Sequence, residues 1–487
     1  LGKIGNPTGL FNYHVNEEIN VLVGCGLGGT SLINANVALH PVRDVFLEGG
    51  WPAAIISDLD DGVQKGYERA AEMLRPRTYP VTYPPLKKAA AMQYIAGRIG
   101  EPWYPTPINV TFEDRVNEAG VQQKACINCG DCVTGCNHLA KNTTQMNYLP
   151  DAVNHGATIF TECHVEYIEK KDDTWLVHFK PSGVGQDVFA APPQFVEADI
   201  VVVSAGTLGS SEIMLRSKQK GLSTSPMVGH KFSGNGDVLG FSYNSDRRIN
   251  GIGYGTKPVD PANPAGPNIA SIIDTRLSVT DWRKGMSIEE GVIPGALAGL
   301  LPAAFAAISA AIGQDTDTGI VDRLKEQARI LDSLVLGAYH GATINTITYL
   351  VMSHDSGKGV MYLDQEDRLR IDWPGAGEEP NIDMANDMLL NCTKQVGGTY
   401  VESPIWTTLF KKSLITVHAL GGCAMADDAT LGVVNDKGQV FSGATGTAVH
   451  KGLYIMDGSV VPTALGTNPL FTISALSERS CALLVKD

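Results

Sequence analysis

The sequence is poor in charge, and the charge it carries has the wrong sign for nucleic acid. Charged residues make up 18% of the 487, and 38 Lys and Arg stand against 52 Asp and Glu, a formal net charge of −14. With no basic run to neutralise phosphates, nucleic acid is excluded as a partner, and an anionic membrane surface offers no electrostatic gain; membrane contact is not required. No period is sustained along the chain, which excludes collagen-like, coiled-coil and repeat architectures. No charged segment followed by an apolar one marks a leader, and the first residue is Leu1, so the compartment stays open. What is present is a hydrophobic fraction of 43%, enough for a large core in about two or three domains. Gly at 53 and Pro at 26 imply many tight turns and close backbone approaches.

Residues 17–39 read EEINVLVGCGLGGTSLINANVAL, in which Gly24, Gly26 and Gly29 spell a lone G-x-G-x-x-G. A dinucleotide fingerprint needs a helix and then a second strand with an acidic end, and His40-Pro41 breaks that pattern. What survives is a glycine turn that lets the backbone approach a flat or phosphorylated ligand. Residues 157–180 alternate with period two around Lys170–Asp173 and predict a hairpin; 359–373 predict another. In EADIVVVSAGTLGSSEIMLRS, the run Ile200–Val203 reads as a strand buried on both faces, followed by a turn at Ser204–Gly206 and a helix. Gly291–Gly313 is almost entirely apolar and 23 residues long, with Pro294 and Pro302 inside and no Lys or Arg at its flanks. It reads as a core or lid helix, a membrane-docking lid or a membrane span.

Of nine cysteines, Cys25, Cys163, Cys392, Cys423 and Cys481 are dispersed and read as small buried hydrophobes. The others, Cys126, Cys129, Cys132 and Cys136, form a C-x2-C-x2-C-x3-C run with the spacing of bacterial ferredoxin ligands, although Asn137 stands where those have Pro. Three readings stay open: an iron–sulfur cluster (3Fe–4S or 4Fe–4S), disulfides or free thiols, and a structural zinc.

The C-terminal block ITVHALGGCAMADDATLGVVNDKGQVFSG…KGLYIMDGSVVPTALGTNPLFTISALSER resembles that of the glucose–methanol–choline (GMC) flavoprotein oxidoreductases, most closely their cholesterol oxidase-like branch. GLGGTSLINANVALHP, VVVSAGTLGSSEIMLRS and SIEEGVIP are similar to further segments of that family. The resemblance implies an α/β (α+β) fold, with an FAD-binding part from 1–60, 140–235 and 416–487 interleaved with a substrate part, 236–415, on an antiparallel sheet. A Cys-rich loop occupies 115–145, and 291–313 becomes an apolar lid or wall. The family's opening βαβ unit, with its own glycine fingerprint, normally precedes the region where this chain starts, so a missing N-terminal fragment is expected.

By the same resemblance, His418 is the base that takes the hydroxyl proton, in a motif where Ala419 replaces the family's Pro. Asn468 orients the alcohol oxygen, and Glu290, preferred to Glu289, is a second acid/base. Gly29, Thr30, Asn34, Ala205, Gly206, Asp457, Gly458 and Pro469 contact FAD, with Val165 against its adenine. Cys126, Cys132 and Cys136 reproduce the C-x5-C-x3-C ligand pattern of 3Fe–4S clusters in some related sugar dehydrogenases. The implied function is oxidation of a bulky apolar alcohol by hydride transfer to FAD, with electrons leaving through the cluster to an external acceptor or electron-transfer subunit. The rivals are a metal-free oxidase using oxygen and a non-catalytic subunit.

Overall fold

Strands buried on both faces build the largest element of the fold. In the computed structural model, which describes residues 3–4, 9–182, 194–317, 319–407 and 411–486, seven strands pair antiparallel throughout. Their order is Gln314–Asp315, Thr399–Glu402, Val238–Tyr243, Ile347–Met352, Ser287–Gly291, Ser271–Asp274 and Trp103–Pro105. One face carries Val238, Ile288, Ile347, Tyr349, Val351 and Tyr400 against the helices Lys87–Ile99 and Pro380–Lys394. The other carries Phe241, Tyr243 and Val401 against Phe305 of the helix Leu301–Ile312. Each such side chain contributes roughly 1.5–3 kcal/mol on burial, and a one-residue slip would swap the side chains between the two covered faces and break the packing on both.

Parallel pairing supplies the second part. Ile19–Gly24 runs parallel to Leu414–Thr416 and Val201–Val203 parallel to the end of Val449–Ile455; the helix Gly206–Gln219 follows Val201–Val203 through the Ser204–Ala205 turn. The helix Gln64–Leu74 lies along Leu470–Leu484, where a Cβ on Gly66 would sit 2.2 Å from the carbonyl oxygen of Ala475. The mixed helix-and-sheet architecture with an antiparallel sheet is the one the sequence predicts.

Both predicted hairpins form, as Cys163–Lys171 with Thr174–Pro181 and Val360–Leu363 with Leu369–Asp372. In the first a bulge between Val165 and Tyr167 shifts the register, so Tyr167 pairs with His178, not with a residue of its own apolar series. Two expectations are corrected. Val201 and Val203 are buried but Ile200 is 53% and Val202 42% exposed, because successive side chains point to opposite faces and only one face of this segment is covered. The apolar stretch is not one helix: it ends a strand at Gly291, turns through Gly295–Leu297 and forms a helix of 12 residues only from Leu301. Pro294 caps that turn, and Pro302 sits in the helix's first turn, where a missing N–H costs nothing. No described helix is long and apolar enough to cross a membrane.

Candidate active site

His418 is delivered by the turn after Leu414–Thr416, and its ring is fixed by a carboxylate. Its Nδ1 lies 2.8 Å from Asp237 Oδ1. The other oxygen, Oδ2, accepts from Thr416 Oγ1 at 2.8 Å and from the Val417 amide at 2.9 Å. With Oδ2 so engaged, Asp237 presents an acceptor to Nδ1; this selects the tautomer protonated there and leaves Nε2 as the basic nitrogen. Nε2 has no protein partner among the described residues, and the side chain is 18% exposed. Asp237 belongs to a segment that ties two loops together. Ser233 and Leu420 exchange backbone hydrogen bonds at 3.0 Å. Asn235 Nδ2 donates to the Thr467 carbonyl at 2.8 Å, and its Oδ1 accepts from the Leu465 amide at 2.7 Å. The His418 turn and the Asn468 loop are thereby held by one five-residue strap.

Asn468 Nδ2 donates to Glu289 Oε2 at 3.2 Å. Asn468 Oδ1 and Glu289 Oε1 are both buried without a protein hydrogen-bond partner, an arrangement that calls for a ligand. Burial, reinforced by the neighbouring Glu290 and Asp237 and opposed by Asn468 and Arg276, pushes the Glu289 carboxyl up to about 8. Glu289 is thus a neutral acid at neutral pH, able to donate as well as accept.

The sequence reading preferred Glu290, and the structure corrects it. Successive residues of the strand Ser287–Gly291 point to opposite faces. Glu290 shares the Ile288 face, where Lys88 Nζ lies 3.1 Å from Oε1 and both residues are at most 1% exposed. Its oxygens also accept from the Ala270 and Ser271 amides and from Ser271 Oγ. Glu290 is fully engaged in a structural ion pair, and Glu289 is the carboxyl beside Asn468.

The expected flavin contacts lie on several turns and helix starts of the fold. After Ile19–Gly24 the chain makes no Rossmann-type helix. Gly28 and Gly29 take φ of 109° and 60° and lead into a four-residue 3-10 turn, Gly29–Leu32. Nothing lies within 4 Å of a Cβ built on Gly29. Thr30 Oγ1 accepts from the Gly24 amide, and Asn34 Oδ1 is buried without a partner. Ala205 and Gly206 form the turn into Gly206–Gln219; their amides donate to Ser210 Oγ and to Asp457 Oδ2, the latter at 2.8 Å. Asp457 also accepts from Ser210 Oγ and, through Oδ1, from the Ser459 amide and hydroxyl. Its carboxylate therefore positions the Gly206 and Gly458 backbones and has little left for direct contact. Gly458 packs beside Thr207, whose hydroxyl donates to the Ala419 carbonyl at 2.8 Å. Pro469 is the N-cap of Leu470–Leu484, and Val165 sits at the hairpin bulge, packed on the core. The unpartnered Asn468, Glu289 and Asn34 oxygens, the bare backbone at Gly29 and the helix start after Pro469 fit a flat, polar-edged ring such as the isoalloxazine of FAD.

The Cys-rich loop abuts this region through a residue that the sequence reading passed over. Lys141 is 2% exposed, and its Nζ donates to the carbonyls of Leu32, Asn34 and Cys132 at 3.0, 2.7 and 3.1 Å. Burial lowers its pKa to about 8, against the pull of the Cys132 and Cys136 sulfurs. Cys126, Cys129, Cys132 and Cys136 carry no disulfide in this structure. No three of the four sulfurs in the run come within 4.8 Å of one another. A tetrahedral zinc site, with thiolates about 3.8 Å apart, finds no ready cage here.

GMC oxidoreductase family models match residues 6–234 and 390–477. The cholesterol oxidase of Mycobacterium tuberculosis is 25% identical over 98% of this chain and 80% of its own. That of Acinetobacter baumannii is 26% identical, over 98% and 84%. The long-chain-alcohol oxidase FAO4B of Arabidopsis thaliana is 26% identical over 71% of this chain and 44% of its own. Among solved structures, pyridoxine 4-oxidase from Mesorbium loti superposes with a TM-score of 0.59 at 14% identity, covering 100% of this chain and 88% of that one. A fungal aryl-alcohol oxidase gives 0.57 at 13%, over 96% and 86%. At such identities these structures establish the shared fold.

Proposed function

The chain belongs to the GMC oxidoreductase family and is an FAD-dependent enzyme acting on CH–OH donors; within that family we propose that it oxidises a bulky apolar alcohol of sterol or long-chain type. The observation that carries this reading is the His418–Asp237 pair, with Nε2 turned away from the carboxylate and the strap of Ser233–Asp237 joining it to the Asn468–Glu289 pair. The Gly29–Asn34 turn, the Ala205–Gly206 turn, Gly458 and the helix after Pro469 would hold FAD, which when bound would supply the hydride acceptor. His418 Nε2 takes the hydroxyl proton as the carbinol hydride leaves, giving a ketone or an aldehyde. Asn468 Nδ2 holds Glu289 in place through its hydrogen bond to Oε2, and the protonated Glu289 donates to the substrate oxygen, first as hydroxyl and then as carbonyl, so no buried carboxylate opposes it.

The substrate class rests on apolar surface. Leu297, Leu300, Ile320, Val321 and Leu324 are 46–82% exposed along the lid segment and the helix Ile320–Leu336, apolar surface suited to an apolar substrate arriving from a lipid phase. The relatives named for cholesterol and for long-chain alcohols support the same class. Anaerobic mixing of the flavin-loaded enzyme with cholesterol, a long-chain primary alcohol and glucose tests it. Bleaching of the oxidised flavin by either of the first two, and not by glucose, is expected; reduction by glucose alone overturns the assignment.

A second reading concerns the electron acceptor. Lys141 is a buried ammonium with three carbonyl partners and no carboxylate partner among the described residues, within the field of the Cys132 and Cys136 sulfurs. A buried cation of this kind favours an anionic neighbour, and an iron–sulfur cluster on Cys126, Cys129, Cys132 and Cys136 supplies one next to the Gly29–Asn34 turn. Iron and acid-labile sulfide in stoichiometric amounts support electron exit by that route. Iron-free protein that makes one hydrogen peroxide per alcohol oxidised assigns the role of acceptor to oxygen.

A further inference from the structure

Four strands away from Glu289, at the Gln314–Asp315 edge of the large sheet, five carboxylates converge. One oxygen each of Asp246, Asp317 and Asp322 lies within 4.8 Å of the others, and the same holds for Asp315, Asp317 and Glu326; Asp317 belongs to both sets. Acidic side chains often crowd a surface without consequence, but here two of them are turned inward. Glu326 is 8% exposed, and its Oε1 is buried with no hydrogen-bond partner; the same is true of Asp322 Oδ2. Both stand on the helix Ile320–Leu336, four residues apart and so on one face. Among the described residues one cation is paired with the group: Arg329 Nη1 lies 3.0 Å from Asp246 Oδ1, and its remaining donors go to Asn244.

The backbone is shaped to allow the convergence. Gly397 has a φ of +68°, and a Cβ there would lie 2.9 Å from Asp317 Oδ2 and 3.0 Å from Asp246 Oδ2. The Gly398 amide donates to Asp317 Oδ1 at 3.3 Å. Left to themselves the charges repel: burial, then Asp315, Asp322 and Asp317, push the Glu326 carboxyl up to about 7. Asp317 is raised as well, by burial and by its acidic neighbours.

We propose that Asp246, Asp315, Asp317, Asp322 and Glu326 form a Ca2+ site that clamps the start of the helix Ile320–Leu336 to the edge of the large sheet. The donor set is all oxygen, without His or Cys, which suits a hard cation. Ca2+ takes six to eight oxygen ligands and tolerates an irregular carboxylate shell such as two overlapping sets that share Asp317. Mg2+ needs a tighter octahedron, about 4.1 Å across, and keeps most of its water.

The test uses the full-length, flavin-loaded protein, dialysed against chelator and titrated calorimetrically with CaCl2 and then with MgCl2. One equivalent of Ca2+ per chain is expected, with a rise of several degrees in Tm and with Mg2+ binding at least tenfold more weakly. Asp317→Asn and Glu326→Gln each weaken Ca2+ binding at least tenfold. Both raise the Tm of the metal-free protein, because each removes one of the mutually repelling charges, so neither is expected to misfold. Flavin reduction stays unchanged in both. Absence of stoichiometric Ca2+ binding, binding that survives both substitutions, or equal affinity for Mg2+ overturns the proposal.

Discussion

Replacing Asp237 by Asn changes one atom and, by the geometry of its neighbours, inverts the chemistry of His418. The carboxylate now takes three donors: the Thr416 hydroxyl and the Val417 amide at Oδ2, and His418 Nδ1 at Oδ1. An asparagine has one oxygen. The two donors from Thr416 and Val417 hold it in place, which turns the NH2 group toward Nδ1. To accept that hydrogen bond the imidazole must move its proton to Nε2, and a protonated Nε2 cannot take one from the substrate. The loss is that of a general base, 10²–10⁴-fold in the rate of flavin reduction, or about 3–5.5 kcal/mol on the barrier. The backbone contacts of the turn survive, so FAD content and Tm stay close to wild type. Stopped-flow measurement of flavin bleaching under anaerobic conditions separates this step from reoxidation. Asp237→Glu, which keeps a carboxylate, recovers part of the rate. Reduction of the flavin-loaded Asp237→Asn enzyme at the wild-type rate would refute both the tautomer argument and the assignment of His418 Nε2 as base.

Three further outcomes are expected. Glu289, whose carboxyl is raised to about 8, keeps its proton in the folded state after the unfolded chain has released it, so the wild type loses stability as pH rises from about 4.5 toward 8, at up to about 1.4 kcal/mol per pH unit. Glu289→Gln removes that slope: the difference in urea midpoint between variant and wild type is near zero at pH 4.5 and grows in the variant's favour up to pH 8, and a pH-independent difference contradicts the burial of an acidic proton. Lys88→Met leaves Glu290 buried without its cation, which costs about 3–5 kcal/mol of stability; chemical denaturation shows the loss, while flavin reduction per folded molecule is unchanged, in contrast to any substitution at Glu289. His418→Gln retains FAD but slows its reduction by about 10²-fold or more, read in the same stopped-flow assay.

How much of this was legible beforehand follows from the range over which each signal acts. The two hairpins and the strand–turn–helix at Val201–Gln219 rest on period-two runs and turns a few residues long, and both kinds of signal are local. Exposure of Ile200 and Val202 was not legible, because an apolar run reports the chain's preference and not which neighbours lie beside it. The stretch 291–313 misled for a related reason. Its composition is uniform, but Gly291 closes a strand that pairs with Thr348, and tertiary pairing outweighs helical propensity there.

The site divides along the same line. His418 and Asn468 lie in one dense block and could be picked out from it, whereas Asp237 is 181 residues from the ring it orients and sits in a Gly- and Asn-rich turn that reads as an ordinary loop. The error at Glu290 is more instructive, since the information was present. In Ser287-Ile288-Glu289-Glu290-Gly291 the hydrophobic Ile288 marks the core face, and alternation assigns Glu290 to that face and Glu289 to the other. Lys88 then explains why an acid is tolerated in the core: the pair neutralises itself and Ser271 satisfies the remaining lone pairs. Glu289 has no such cation, and its proton is the alternative means of neutralisation. Two adjacent glutamates, equally buried at 0% exposure, thus meet different surroundings on the face each occupies, an ammonium beside Glu290 and an amide beside Glu289, and the one left without a counter-ion is the one whose raised carboxyl has a hydrogen to offer a substrate.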